Sequence, residues 1–184
     1  MDAGLRQHDK VFWWKASPMH ILSRIPSPLA DLLAVTAPDG TLHALDFADY
    51  EPRLRTLFAR HHGAAPLTPG EAPPALTAAL TAYFAGTPTA LDSIPTARIG
   101  SDFQQRVWAA LRAIPAGETR SYGALAAAIR QPSASRAVGL ANGANPIGIV
   151  VPCHRVIGAN GALTGYAGGV ERKAWLLRHE GAML

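Results

Sequence analysis

Apolar residues recur along the chain with two different periods, and the periods divide it. From His20 to Phe47 the runs HILSRI, DLLAVT and TLHALDF read as strands, and Pro38-Asp39-Gly40 between the last two is a hairpin signal. Helical spacing follows over 50–61 (Leu54, Leu57, Phe58) and 74–85 (Leu76, Leu80, Tyr83, Phe84). Residues 86–101, rich in Pro, Thr, Gly and Ser, predict a linker. Beyond it Phe103, Val107, Trp108, Leu111 and Ile114 form one helical face, with Ser101 as N-cap and Pro115 and Gly117 as the stop. Ser121 caps a predicted helix Tyr122–Arg130; Pro132 breaks it, Ser133 caps again, and Ala134–Ala141 makes another. Two short helices split by a tight break have the helix-turn-helix outline. The second is built of small residues, which lets its backbone approach a partner closely or pack tightly inside the domain. Ile147–Val151 (IGIVV) reads as a buried strand, and 170–179 as a helix carrying Trp175, Leu176 and Leu177. Residues 1–17 show no clean period, and Trp13 and Trp14 find no place in this pattern.

With 184 residues, 48% of them apolar and 16% charged, the chain can bury a sizeable core, which excludes global disorder. No apolar run approaches the roughly 18–20 residues of a membrane span, and the start lacks a signal-peptide stretch. A single cysteine, Cys153, excludes a disulfide framework and fits a reducing, cytoplasmic setting. Charge is uneven: residues 1–97 hold 7 Lys and Arg against 9 Asp and Glu, and residues 98–184 hold 10 against 4. A basic half points to a polyanion such as nucleic acid, or to arginine used for solubility.

The chemistry concentrates at Pro152-Cys153-His154-Arg155-Val156. A thiol followed directly by imidazole and guanidinium has a positive environment, which lowers a thiol pKa and favours a thiolate nucleophile. A buried structural cysteine is the alternative, against which the proline and the two polar neighbours speak. Gly165-Tyr166-Ala167-Gly168-Gly169 is a close-approach loop, and Glu180, at a helix C-terminus, opposes the macrodipole and calls for a partner there or for solvent.

Taken together, FQQRVWAALRAIPAGETRSYGALA, SRAVGLANGANPIGIVVPCHRVIG and GALTGYAGGVERKAWLLRHEG resemble the O6-alkylguanine-DNA alkyltransferases over nearly all of 102–181. Residues 27–47 match the family's N-terminal sheet more weakly. The resemblance implies a small α/β N-terminal domain with a ribonuclease-H-like sheet over 20–97 and a mainly helical C-terminal domain with a helix-turn-helix over 98–184. Residues 1–19 are an extension without a counterpart. It implies a monomer that repairs O6-alkylguanine, and less well O4-alkylthymine, in double-stranded DNA by a single transfer to Cys153 after base flipping. His154 would act on Cys153 through a water, Glu180 would complete that network, and Asn145 would brace the segment. Tyr122 would crowd the target phosphate and protonate the leaving guanine. Arg136 would enter the base stack, and Ala137, Gly139 and Gln104 would meet the DNA, with α-helical docking in the minor groove. Tyr166, Val156 and Lys173 would line the base pocket. No cofactor and no membrane partner is implied. Some family members hold zinc through cysteines and histidines of the N-terminal domain. With Cys153 as sole cysteine, no metal site is expected, and His20, His43, His61 and His62 are expected at the surface.

Two other classes compete. Cys and His could serve a cysteine hydrolase, which would need an oxyanion hole and would turn over. A non-catalytic recognition module or helix-turn-helix transcription factor would need no thiol at that position.

Overall fold

A computed structural model describes residues 19–183; Trp13, Trp14 and the N-terminal extension up to residue 18 lie outside them. Its frame is a four-stranded mixed sheet in the order β3-β2-β1-β4, formed by β1 (His20–Ile25), β2 (Leu32–Thr36), β3 (Leu42–Phe47) and β4 (Leu67–Pro69). β1–β2 and β2–β3 are antiparallel, and β4 joins the outer edge of β1 in parallel. Gly40, at φ +85, closes the turn between β2 and β3 at a backbone angle that favours glycine. The predicted strands match this sheet closely; three-residue β4 is too short to show a period.

β2 is buried on both faces because helices cover both. Its residues alternate accordingly. Leu33 and Val35 pack with Ala44 of β3 and with Leu54 and Phe58 of α1 (Glu51–His62) in a small core. Leu32 and Ala34 face a larger core with Leu45 and Phe47, Leu76, Leu80 and Tyr83 of α2 (Pro74–Phe84), and Val107 and Leu111 of α3 (Asp102–Arg112). That larger core also holds residues 147–156, so both halves of the chain share it. The other helices are α4 (Tyr122–Ala128), α5 (Ser135–Gly143) and α6 (Val170–His179), and two-residue strands β5 (Arg120–Ser121) and β6 (Val156–Ile157) pair in parallel. No helix among the described residues is long and apolar enough to cross a membrane.

Four expectations need correction. Residues 86–101 are not a free linker. Leu91 and Ile94 are buried, and Leu42 and Ala97 exchange backbone bonds across the free edge of β3 (Leu42 N–H to Pro95 O, 2.9 Å; Ala97 N–H to Leu42 O, 2.9 Å). Arg112 of α3 donates to Asp92 O, Ile94 O and Thr96 Oγ1, which satisfies carbonyls that a polar composition would have left to water. Ile147–Val151 is buried but is not a strand. It turns, with Ile149 at φ +66, and its backbone joins the sheet where Leu45 N–H meets Pro146 O and Gly148 N–H meets Leu45 O. Ser133 does not cap α5: the N-cap is Ala134, without a side-chain bond. Finally, the histidines are not at the surface. His20 is buried, and His43, His61 and His62 are half-buried. Burial and the mutual repulsion of neighbouring imidazoles push His43 down to about 4.

Ser101 does cap α3, in a reciprocal box: Gln104 N–H donates to Ser101 Oγ (3.3 Å), and Ser101 N–H donates to Gln104 Oε1 (3.0 Å). Ser101→Ala is therefore expected to cost about 1 kcal/mol of unfolding free energy, read from the urea midpoint at unchanged slope. A change near zero would mean that solvent caps the exposed helix start equally well.

Candidate active site

Cys153, His154 and Arg155 form one short 3-10 turn between the buried segment 147–151 and β6. Cys153 is 7% exposed and His154 fully buried. Two asparagines hold the turn. Asn145 Nδ2 donates to Val151 O (2.8 Å) and Ile147 O (3.3 Å), while its Oδ1 accepts from Ile147 N–H (3.0 Å). Asn142 of α5 donates to Cys153 O at 3.4 Å. Arg53 of α1 pins the segment that carries Asn145 from the other half of the chain. It pairs with Asp46 and donates to Gly143 O (2.8 Å) and Asn145 O (3.1 Å). No sequence signal links Arg53 to residues about ninety positions away.

Glu180 follows α6 and is the centre of the polar network. Arg155 Nε donates to Glu180 Oε2 (2.7 Å), and Arg155 Nη2 to Oε1 (3.0 Å). The same Oε1 lies 2.9 Å from His154 Nε2 and accepts from Tyr83 Oη of α2 at 2.7 Å. Burial works against the Glu180 charge, but the bonds and positive charge of His154 and Arg155 outweigh it and hold the carboxyl well below its ordinary value. An ionised Glu180 can only accept, so His154 Nε2 carries the hydrogen. Nδ1 then keeps its lone pair, and it has no hydrogen-bond partner among the described residues.

The electrostatics correct one expectation. Arg155 does not activate the thiol; its guanidinium is spent on Glu180. Burial pushes the Cys153 thiol up, against a hydrogen bond from Asn145 and the charges of Arg53 and Lys173. Burial likewise pulls His154 below 6.5, although Glu180 pulls it back up. Burial thus pushes both groups toward a protonated thiol and a neutral imidazole, an acid and a base rather than a preformed ion pair.

The loop over the site is tied down. Lys173 of α6, fully buried, donates to Val156 O and Thr164 O (2.8 Å). Tyr166 meets the His154 ring edge-on at 6.4 Å between centroids. A Cβ on Gly168 would come within 2.8 Å of both the Phe47 and Tyr166 rings, so only glycine lets that loop lie against β3. Arg172 lies over the Phe47 ring at 4.3 Å and pairs with Asp49 at 2.8 Å, fixing α6 to the end of β3.

The sequence-derived residues fall into two groups. Cys153, His154, Glu180, Asn145, Tyr166, Val156 and Lys173 lie on or against the active-site turn and the segments that flank it. Tyr122 and Gly139 lie against each other between α4 and α5, where a Cβ on Gly139 would sit 3.7 Å from the Tyr122 ring. Arg136 and Ala137 are exposed on α5. Gln104 joins neither group; its side-chain oxygen is committed to the α3 cap. Tyr83 was legible only as part of an apolar face. A cleft of about 550 Å³ lies behind Asn145, lined by Arg98, Arg106, Trp108 and Pro146 among others, and is not lined by Cys153 or His154.

Comparison with known proteins completes the picture. A model of the 6-O-methylguanine DNA methyltransferase DNA-binding domain matches residues 102–182. The methylated-DNA–protein-cysteine methyltransferase of Salmonella typhimurium is 50% identical over 163 residues, 88% of this chain and 95% of that protein. The chain belongs to the methylated-DNA–protein-cysteine methyltransferase family. A Mycobacterium bovis member is 64% identical over 101 residues, 55% of this chain and 61% of its own. The crystal structure of Mycobacterium tuberculosis OGT in complex with DNA superposes with a TM-score of 0.74 at 42% identity, covering 88% of this chain and 93% of that one. Membership makes the protein an enzyme that transfers a methyl group from DNA to a protein cysteine, a DNA-repair activity, and the hydrolase and binding-module readings fall away.

The network gives a pH dependence. Below 6.5 the transfer rate should rise with pH as His154 loses its proton, then level off. Glu180→Gln removes the charge that raises the His154 pKa, so the acid limb should move to lower pH and the plateau should fall as the base weakens. The change also strands Arg155, at a cost of about 3–5 kcal/mol. Glu180 contributes stability that is full above its ordinary 4.5 and is lost as pH falls through its depressed folded value. Single-turnover rates against pH, with folding monitored separately, check this; overlaid profiles would reject the network.

Proposed function

We propose that Cys153 takes the alkyl group from O6-alkylguanine in double-stranded DNA, and less well from O4-alkylthymine, once per chain. The observation that carries this reading is the buried His154–Glu180 pair directly beside the chain's only cysteine, itself buried. The thiol proton passes to His154 Nδ1 through a water, the sulfur–carbon bond forms, and the carbon–O6 bond breaks. The guanine leaves with the bonding electrons and takes a proton from Tyr122. The thioether is not hydrolysed, so the enzyme is consumed.

A buried thiol cannot meet a base inside a duplex, so the nucleotide must rotate out of the stack. In this reading α4 and α5 form a helix-turn-helix. α5 docks in the minor groove through the small residues Ala137 and Gly139, and Arg136 fills the vacated stack. Tyr166, Val156 and Lys173 shape the base pocket. Residues 98–184 supply the DNA surface and the acceptor, and residues 20–97 hold the turn through Arg53 and Glu180 through Tyr83. The protein acts as a cytoplasmic monomer without a cofactor.

Intact mass after incubation with O6-methylguanine duplex tests the assignment. One methylene should be added per chain and none to Cys153→Ser, which should still bind DNA. Demethylation by that variant would sink it. Arg136→Ala should slow duplex repair on the order of tenfold or more while sparing reaction with free O6-benzylguanine, because only the duplex needs a base extruded. Equal losses on both substrates would give Arg136 a role in the fold or pocket instead.

A further inference from the structure

Three imidazoles outside the alkyl-transfer site converge at one end of the sheet. His20 opens β1, His43 is the second residue of β3 and His62 is the last of α1. Their ring centroids are pairwise 4.7 to 4.9 Å apart. His43 Nδ1 is 3.2 Å from His62 Nε2, and one nitrogen from each of the three rings lies within 4.8 Å of the others. The small core fixes all three elements around this point. Phe58, one turn before His62, stacks on the His62 ring at 4.4 Å and meets His20 edge-on at 4.9 Å.

We propose that His20, His43 and His62 bind a divalent ion of the zinc class, with the fourth position left to water or another donor. Two nitrogens bound to one tetrahedral zinc at about 2.0–2.1 Å stand about 3.3 Å apart. The His43–His62 pair already has that spacing, and the third nitrogen must close by at most about 1.5 Å, which side-chain rotation covers. Neutral imidazoles select zinc, nickel or copper over calcium or magnesium, which take oxygen ligands. The donor set contains no thiolate, unlike the cysteine-and-histidine site of some family members. The absence of further cysteines, from which no metal site was expected, therefore does not bear on it. Cys153 lies in the larger core, whereas His20 and His62 pack on Phe58 in the smaller one and His43 packs on both of them. The ion would clip the C-terminus of α1 to β1 and β3, a structural role separate from alkyl transfer.

The test uses the untagged full chain stripped with a chelator. Zinc added to it should bind at one equivalent per chain by calorimetry and raise the thermal midpoint by several degrees, and cobalt should give the absorption of a nitrogen-ligated site. His43→Gln with His62→Gln, both half-buried positions, should weaken binding about tenfold or more. Cys153→Ser should bind zinc as the wild type does. Absent binding, binding unchanged in the double variant, or binding lost with Cys153 would each overturn the proposal. Should the double variant not fold, histidine ring resonances of the wild type decide. Zinc must shift three ring systems selectively, and uniform or absent shifts overturn the site.

Discussion

The Glu180 carboxylate is buried, and a buried charge persists only while its partners point at it. Arg155 gives it two bonds, His154 one and Tyr83 one, and these partners come from the active-site turn and from α2. Because Glu180 stays ionised, the hydrogen on His154 must sit on Nε2, and Nδ1 remains a base. The tautomer on which proton removal depends is thus set by a salt bridge buried in the protein. This arrangement resolves why a glutamate stands at a helix C-terminus against the macrodipole: its stabilising partners are tertiary.

The second constraint is the edge of β3. Pro95 to Ala97 and Pro146 to Gly148 both bond to it, so one strand aligns the chain before α3 with the chain before Cys153. Arg53 and Asn145 complete the bracing. These contacts impose the left-handed backbone at Ile149, an unfavourable conformation for a β-branched residue that survives because the surroundings over-determine it. Burying the nucleophile in this way favours its protonated form, and a neighbouring base must then supply the reactivity.

Much of this was legible in the sequence, and the misses share a physical cause. Strands β1 to β3 and helices α1 to α3 follow from short apolar runs bounded by turn residues or from helical spacing, because each buries a regular face, or, in β2, both. The IGIVV run looked like a strand because apolar content reports burial, not backbone angle. Residues 86–101 looked like a linker because their partners, Arg112 and β3, satisfy polar groups that composition assigns to water. The histidines looked like surface residues because three imidazoles far apart in sequence reveal nothing of one another. The thiol looked activated because PCHRV sets an imidazole and a guanidinium beside it in sequence, whereas Arg155 turns to Glu180 and burial outweighs the positive charge that remains. Cys153, His154, Glu180, Asn145 and Lys173 were singled out by their motifs; Tyr83 and Arg53, which carry no motif, entered the polar network only with the fold.

The account turns on the resting protonation state of the only thiol. Ultraviolet absorbance of the thiolate, followed against pH in the wild-type chain with Cys153→Ser as the blank, measures it directly. The account predicts no thiolate signal at neutral pH and an appearance only above the ordinary thiol value of 9.0. A thiolate signal at pH 7 that Cys153→Ser abolishes would contradict it and restore a preformed thiolate–imidazolium pair.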